Sequence, residues 1–311
     1  MTKVFLAFLI IYLSALLSAQ ASLIWVFDTS DNGNLIKNAF YADLIASLVI
    51  YFYCIVFNSF SVYDPYWTTQ SSVLSIYYAY NSTSHVFYNL RLCVVVILVN
   101  VWAYRLMSNL IKITDITHED WHYTDFRPKM FNSKFVYFSF GLLAFILMPT
   151  ILVFFGCVPL FYIANSTQPF NILDFIAFLI LIVTILFEGI ADIQLKNNNS
   201  KVQDNNLGLP CMDKGLWSLC RHPNYFGEVS FWFGLYLFGL ASGASIWADN
   251  GFYLIVFVLG PFAIFSMIYF GSMPMMEERQ MKRREKFYAD YKKRVPFKML
   301  PFNFLFSKKF D

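Results

Sequence analysis

Charge is scarce in this chain. Only 14% of its 311 residues are Asp, Glu, Lys or Arg, against 58% hydrophobic and 20% aromatic. A soluble domain cannot hide that much apolar surface, which excludes an ordinary globular protein and leaves a membrane protein. Cysteine is also sparse: five residues, scattered, with no Cys-x-x-Cys pair, indicate neither a disulfide scaffold nor a zinc knuckle. No Gly-x-Gly-x-x-Gly turn follows a strand, so a Rossmann domain is absent and any nucleotide must bind within helices. There is no internal repeat. Only the Asn-rich stretch Asn197 to Asn206 approaches low complexity, and it reads as a flexible connector.

What is present is a series of apolar runs, each near the roughly 20 residues that cross a bilayer as a helix. They begin at about Val4, Ala39, Val86, Phe135, Phe170, Phe226 and Phe252. The expected fold is therefore all-α, a polytopic membrane bundle of about seven transmembrane helices forming a single integral membrane domain over 1–311. The sixth run is interrupted by glycines and is the weakest. Lys and Arg concentrate between runs three and four (Arg105, Lys112, Arg127, Lys129, Lys134), between five and six (Lys196, Lys201, Lys214, Arg221), and from Arg279 to Lys309. The positive-inside rule makes these segments cytosolic, C-terminus included. Ser59 to His85, Cys157 to Pro169 and Ala241 to Asn250 contain no Lys or Arg and are expected on the lumenal side. Glycosylation sequons at Asn81 and Asn165 fall in these loops, while one at Asn198 falls on the cytosolic side. Met1 to Ala21 could pass for a signal peptide ending at Ala19-Gln20-Ala21, but its removal would put the basic tail in the lumen. The pair Lys308-Lys309 points to the endoplasmic reticulum.

The stretch Ile116 to Arg127 contains HEDWH, a literal His-Glu-x-x-His, the pattern in which two histidines one helical turn apart bind zinc. The loop offers no obvious third ligand, so no metal is expected. Polar residues at the edge of hydrocarbon are costly and point elsewhere. Tyr63-Asp64-Pro65-Tyr66-Trp67 follows the second run, and Tyr88-x-x-Arg91 opens the third. Taken alone, the first reads as a turn with interfacial aromatics and the second as a snorkelling arginine. In FEGIADIQLK, Glu188, Asp192 and Lys196 recur every four residues on one helix face. In KGLWSLCRHPNYFGEVSFWFG, Pro223 suits a helix's first turn, whose free N–H groups beside Arg221 and His222 would attract phosphate. Asn224, Glu228 and Trp232 again recur every four residues.

On these residues the chain resembles the DUF1295 membrane proteins, relatives of the steroid 5-alpha-reductase family. The resemblance runs from YDPYW through HEDWHYTDFR, FEGIADIQLK and GLWSLCRHPNYFGEVSFWFG to EERQMKRREKFYADYKKR. It departs at Cys220, where the family has serine, and at His122, where it has arginine; the second zinc-like histidine thus reads as a local substitution. The resemblance implies an NADPH-dependent membrane reductase acting on a carbon–carbon double bond in a lipid, such as a sterol or other enone. It implies Asp64 and Tyr88 as catalytic groups on the carbonyl. For the cofactor it implies Arg91, Arg105, Asp192, Arg221, His222, Asn224 and Glu228, with most of that site in 135–311. The expected partners are the bilayer and a lipid substrate, not nucleic acid. A second reading, an S-adenosylmethionine-dependent methyltransferase of the isoprenylcysteine or phospholipid type, shares the Arg-His-Pro-x-Tyr segment and a late glutamate pair, here Glu277-Glu278. A third is a non-catalytic membrane scaffold.

Overall fold

The computed structural model describes residues 2–25, 35–82, 89–114, 118–127, 133–204, 211–243 and 251–303. Tyr88, Thr83 of the first sequon and the terminal lysine pair lie outside the described residues. Among the described residues, all regular structure is helical. Six helical stretches are long and apolar enough to cross a membrane: Val4–Ile24, Leu35–Phe57, Leu90–Lys112, Lys134–Ala164, Ile172–Asn199 and Phe257–Arg294. The protein is a polytopic all-α membrane bundle. The expected sixth span is a helix of 19 residues, Pro223–Ala241, but Asn224, Glu228 and three glycines hold it below the apolarity of the other six.

The chain divides into two compact units, Met1–Pro169 with Ser242–Gly260, and Phe170–Ala241 with Pro261–Asp311. In the first unit, α1 (Thr2–Trp25) and α2 (Leu35–Phe57) pack as a hairpin. Asn58, at φ 53°, ends α2; asparagine tolerates this left-handed conformation better than other side chains. A 3-10 turn at Phe60–Val62 leads into α3 (Tyr66–Tyr80), and α4 (Leu90–Ile113) begins at Asn89, whose side chain accepts from Leu92 N at 3.1 Å. That bond satisfies one of the donors a helix start leaves open. A four-residue helix, α5 (Trp121–Thr124), precedes a long composite helix. Its parts are α6 (Lys134–Gly141), a π turn at Leu142–Leu147, and α7 (Met148–Ala164).

Ser59 to His85 is not the one-sided loop its lack of Lys and Arg suggested. At its start, Phe60 N donates to Glu119 Oε1 at 3.0 Å and Asp120 N to Ser61 Oγ at 2.7 Å, so this turn lies at the end of the unit that carries 118–127. At the far end of α3, Ser82 Oγ donates to Ala164 O, and Asn89 Nδ2 donates to Ser166 O at 3.3 Å. The helix α3 therefore runs from one end of the unit to the other. Its buried face carries Thr68, Gln70, Ser71 and Ser75, so low apolarity concealed a buried helix. The core around the turn is aromatic: Phe60 contacts the rings of Tyr123, Tyr137, Phe138 and Phe145.

In the second unit, α8 (Ile172–Asp204) and α9 (Pro223–Ala241) are antiparallel neighbours. Asn171 Nδ2 donates to Ala241 O at 3.0 Å at one end, and Leu216 N donates to Gln194 Oε1 at 3.0 Å near the other. A Cβ on Gly227 would come within 2.6 Å of the Glu188 Cβ, so the two backbones approach as closely as glycine allows. The helix α10 (Gly251–Ser266), whose residues up to Gly260 belong to the first unit, continues through a second π turn, Met267–Ser272, into the charged α11 (Met273–Arg294).

Candidate functional site

Two polar clusters stand out, one in each unit. The first surrounds Asp64, in the turn between α2 and α3. Tyr123 OH donates to Asp64 Oδ1 at 2.7 Å, and His122 Nε2 lies 4.0 Å from the same oxygen. His122 Nδ1 is 2.7 Å from Asp120 Oδ1, so the imidazole sits between two carboxylates. Burial pushes Asp64 up to about 6, with His122 and the Tyr123 hydroxyl pulling it back. Burial lowers His122, but its hydrogen bond to Asp120 and the charge of Asp64 outweigh that and leave the imidazole above its ordinary value. Burial, then the charge of Asp64, drives Tyr123 well above the usual phenol range. The group is a reservoir that holds a proton near neutral pH.

HEDWH contributes to this cluster without forming a zinc helix. His118 is exposed and precedes α5, which Asp120 caps by accepting from His122 N at 3.2 Å. The two histidines are thus not one turn apart on a single helix. Glu119 accepts from Phe60 N and from Tyr137 OH at 2.9 Å and pairs with Arg127 at 3.4 Å, so it ties the loop down. Arg127 also donates to Asn58 Oδ1 at 2.8 Å and covers the Tyr137 ring at 4.6 Å. Among the described residues no group of three or more His, Cys, Asp or Glu is placed to hold a metal.

The second cluster lies at the start of α9. Arg221 Nε donates to Glu277 Oε1 at 2.7 Å, Nη2 reaches the same oxygen at 2.7 Å, and Nη1 donates to the carbonyls of Val295 and Pro296 at 2.8 and 2.7 Å. His222 Nε2 is 3.4 Å from Glu277 Oε1, and its ring stacks on Tyr225 at 5.4 Å. Burial lowers His222, against the pull of Glu277. The expected phosphate site at this helix start is therefore occupied by the protein itself. Arg221 N and His222 N donate to Phe297 O and Lys298 O at 3.0 and 2.9 Å, and the guanidinium edges are engaged. Lys292, 3.5 Å from Glu277 Oε2, and Lys298, which acts on His222, border the cluster as cations.

Asp192 and Glu228 act on Tyr225 from α8 and α9, and Glu188 sits against Gly227. The two stripes thus meet across the α8 and α9 contact. Trp232 Nε1 donates to Glu228 Oε1 at 2.8 Å, one turn along its own helix. Asn224 is half-buried in the first turn of α9, and Lys196 is exposed on α8. The amide and carboxylates suit the hydroxyl and carboxamide donors of a nicotinamide nucleotide. Arg221 does not suit its phosphates.

Of the remaining expected residues, Arg91 is buried at the other end of the first unit from Asp64. Its Nη1 donates to Ser166 Oγ and Gln168 O, both at 3.0 Å, and its Nη2 to Pro169 O at 2.9 Å. It closes a loop. Arg105 lies partly buried on α4. Sequence reasoning passed over Tyr123 and Glu119 as chemistry, and over Asp43, which Tyr66 and Gln70 bind. A carboxylate within the apolar run of α2 was the signal that could have found it.

The helices and buried polar clusters define an integral membrane protein with titratable groups held inside a helical bundle. The chain belongs to the DUF1295 family, a protein family of unknown function whose model matches residues 50–295. No curated protein and no solved structure matches the chain.

Proposed function

We propose that this protein is a membrane reductase that uses NADPH to reduce a carbon–carbon double bond in a lipid, in keeping with the steroid 5-alpha-reductase-like motifs of its sequence. The observation that carries this reading is Asp64: a carboxyl raised to about 6 and fixed by the Tyr123 hydroxyl. An acid raised toward neutral pH retains a protonated fraction there, and that form can donate a hydrogen bond to a carbonyl oxygen as negative charge develops. Tyr88 is the second donor implied by the motifs. NADPH, when bound, supplies the hydride. Asp192, Asn224 and Glu228 would hold its nicotinamide and ribose groups, while Lys292 or Lys298 rather than Arg221 would face its phosphates. Residence in the endoplasmic reticulum with a cytosolic C-terminus completes the proposal.

The second reading, an S-adenosylmethionine-dependent methyltransferase, gains one observation: Arg221, His222 and Glu277, the residues its motif names, meet at 2.7 to 3.4 Å. Titration of the purified protein with each nucleotide separates the two. On the reductase reading NADPH binds, Asn224→Ala and Glu228→Gln each weaken it by about tenfold or more, and Asp64→Asn spares binding while slowing turnover. Binding of S-adenosylmethionine without NADPH would reverse the order, and binding of neither would leave a scaffold.

A further inference from the structure

A cavity of about 420 Å³ opens within the first unit among α1, α2 and α3. Its volume is in the range of small-molecule sites. Much of the lining is apolar, including Ala15, Ala19, Ala42, Ala46 and Leu74. One wall is different. Asp43, Tyr66 and Gln70 stand there together, each more than nine-tenths buried.

The carboxyl is held in a fixed orientation. Tyr66 OH donates to Asp43 Oδ1 and Gln70 Nε2 to Asp43 Oδ2, both at 2.6 Å; Gln70 Nε2 also donates to Thr150 O at 2.9 Å. Ser47 Oγ donates to the Asp43 carbonyl at 2.9 Å and lies 2.9 Å from Thr150 Oγ1, so the backbone behind the carboxyl is tied to α7 as well. Both protein partners donate, one to each oxygen. A carboxylate offers about four acceptor positions, so capacity remains on the cavity side. Among the described residues no Lys, Arg or His pairs with Asp43. A carboxyl in a membrane-spanning helix is costly and would be replaced by an apolar residue if packing were its only role.

We propose that this cavity binds a membrane-dissolved amphiphile whose apolar body lies among the alanines and whose hydrogen-bond-donating head, a hydroxyl or an ammonium, sits on Asp43. Neither Asp64 nor any of the proposed nucleotide residues lines the cavity, and the proposal stands whether or not the reductase reading does.

The test is photolabelling of the full-length protein in detergent with a long-chain alcohol carrying a mid-chain diazirine. Unlabelled alcohol, amine and methyl ether of the same chain length serve as competitors. Labelled peptides from α1, α2 or α3 are expected, with alcohol or amine competing about fivefold or more better than the ether. Whichever of the two competes better identifies the head group. Asp43→Leu should erase that preference. Ala42→Phe, which fills the cavity while keeping Asp43, Tyr66 and Gln70, should lower labelling by about tenfold if a body of this size occupies it. Equal competition by the ether, a preference that survives Asp43→Leu, or labelling unchanged by Ala42→Phe would each overturn the proposal.

Discussion

At the scale of single residues, the informative groups are acids whose surroundings set their charge. Asp64 is held up to about 6, above the roughly 3.9 of an unfolded aspartate. The folded state therefore binds this proton more tightly than the unfolded one. Its contribution to stability is complete below about pH 4 and is lost as pH rises through about 6. Asp64→Asn has no charge to bury, so its melting temperature relative to wild type should rise between about pH 5 and about pH 7.5. His122, Asp120 and Glu119 face the same carboxyl, so the comparison is made in the same buffers for both proteins; a gap that stays constant with pH contradicts the assignment. Glu277 presents the opposite case. Its pairing with Arg221 is buried, the two side chains being 10% and 4% exposed. Removing Arg221 takes the shortest contacts from Glu277 and leaves it only His222 at 3.4 Å and Lys292 at 3.5 Å, so Arg221→Met should cost about 3–5 kcal/mol, and Arg221→Met with Glu277→Met should recover most of it. Denaturation of the single and double variants decides this; additive losses would mean the pair is not coupled. Asp64 was singled out through the resemblance, because Tyr63-Asp64-Pro65 taken alone reads as a turn after the second run. Asp43 was not, because one acid in LIKNAFYADLIASLVIYFY leaves the run's average untouched. The pairing of Arg221 with Glu277 joins residues 56 positions apart, and no local pattern encodes such a distance.

At the scale of elements, helices were readable where apolar length forced them and unreadable where polarity hid them. Six stretches satisfy the length and composition of a span, and each corresponds to an apolar run. The helix α3 was missed because its hydroxyl and amide groups are satisfied inside the unit instead of by water: Thr68 Oγ1 donates to Pro65 O at 2.9 Å and Ser71 Oγ to Trp67 O at 3.2 Å. Glycines were read as interruptions of the α9 run, whereas they are its contact surface. At Gly227 an added Cβ meets Glu188, and at Gly234 it comes within 2.7 Å of Leu181. Gly227→Val should separate α8 from α9 and lower stability by about 1–3 kcal/mol, the range for overpacked interfaces. Gly271, where an added Cβ meets nothing within 4 Å, provides the control: Gly271→Ala should be nearly neutral. Equal effects at both positions would show that helix propensity, not contact, is being measured.

At the scale of the whole molecule, the two ends of the first unit carry different chemistry. The acids and His122 gather at one end, and Asn81 and Asn165 lie at the other, near the Ser82 to Ala164 bond. Single cysteines at Thr124 and Asn81, in a background without the native five, should therefore react with an impermeant maleimide from opposite sides of sealed vesicles. Labelling of both from one side would contradict the path of α3. Both long composite helices also contain a π turn, Leu142–Leu147 in one unit and Met267–Ser272 in the other. A π turn is one residue more than an α-helix needs. Losing the codon of the exposed Leu143 would let that turn close as an ordinary α-helix and leave the flanking halves close to their present register. A codon lost from a regular turn of either helix would instead rotate its halves by about 100° and shift them by about 1.5 Å. The two π turns are therefore the places along these helices where length changes at least cost to the contacts on either side.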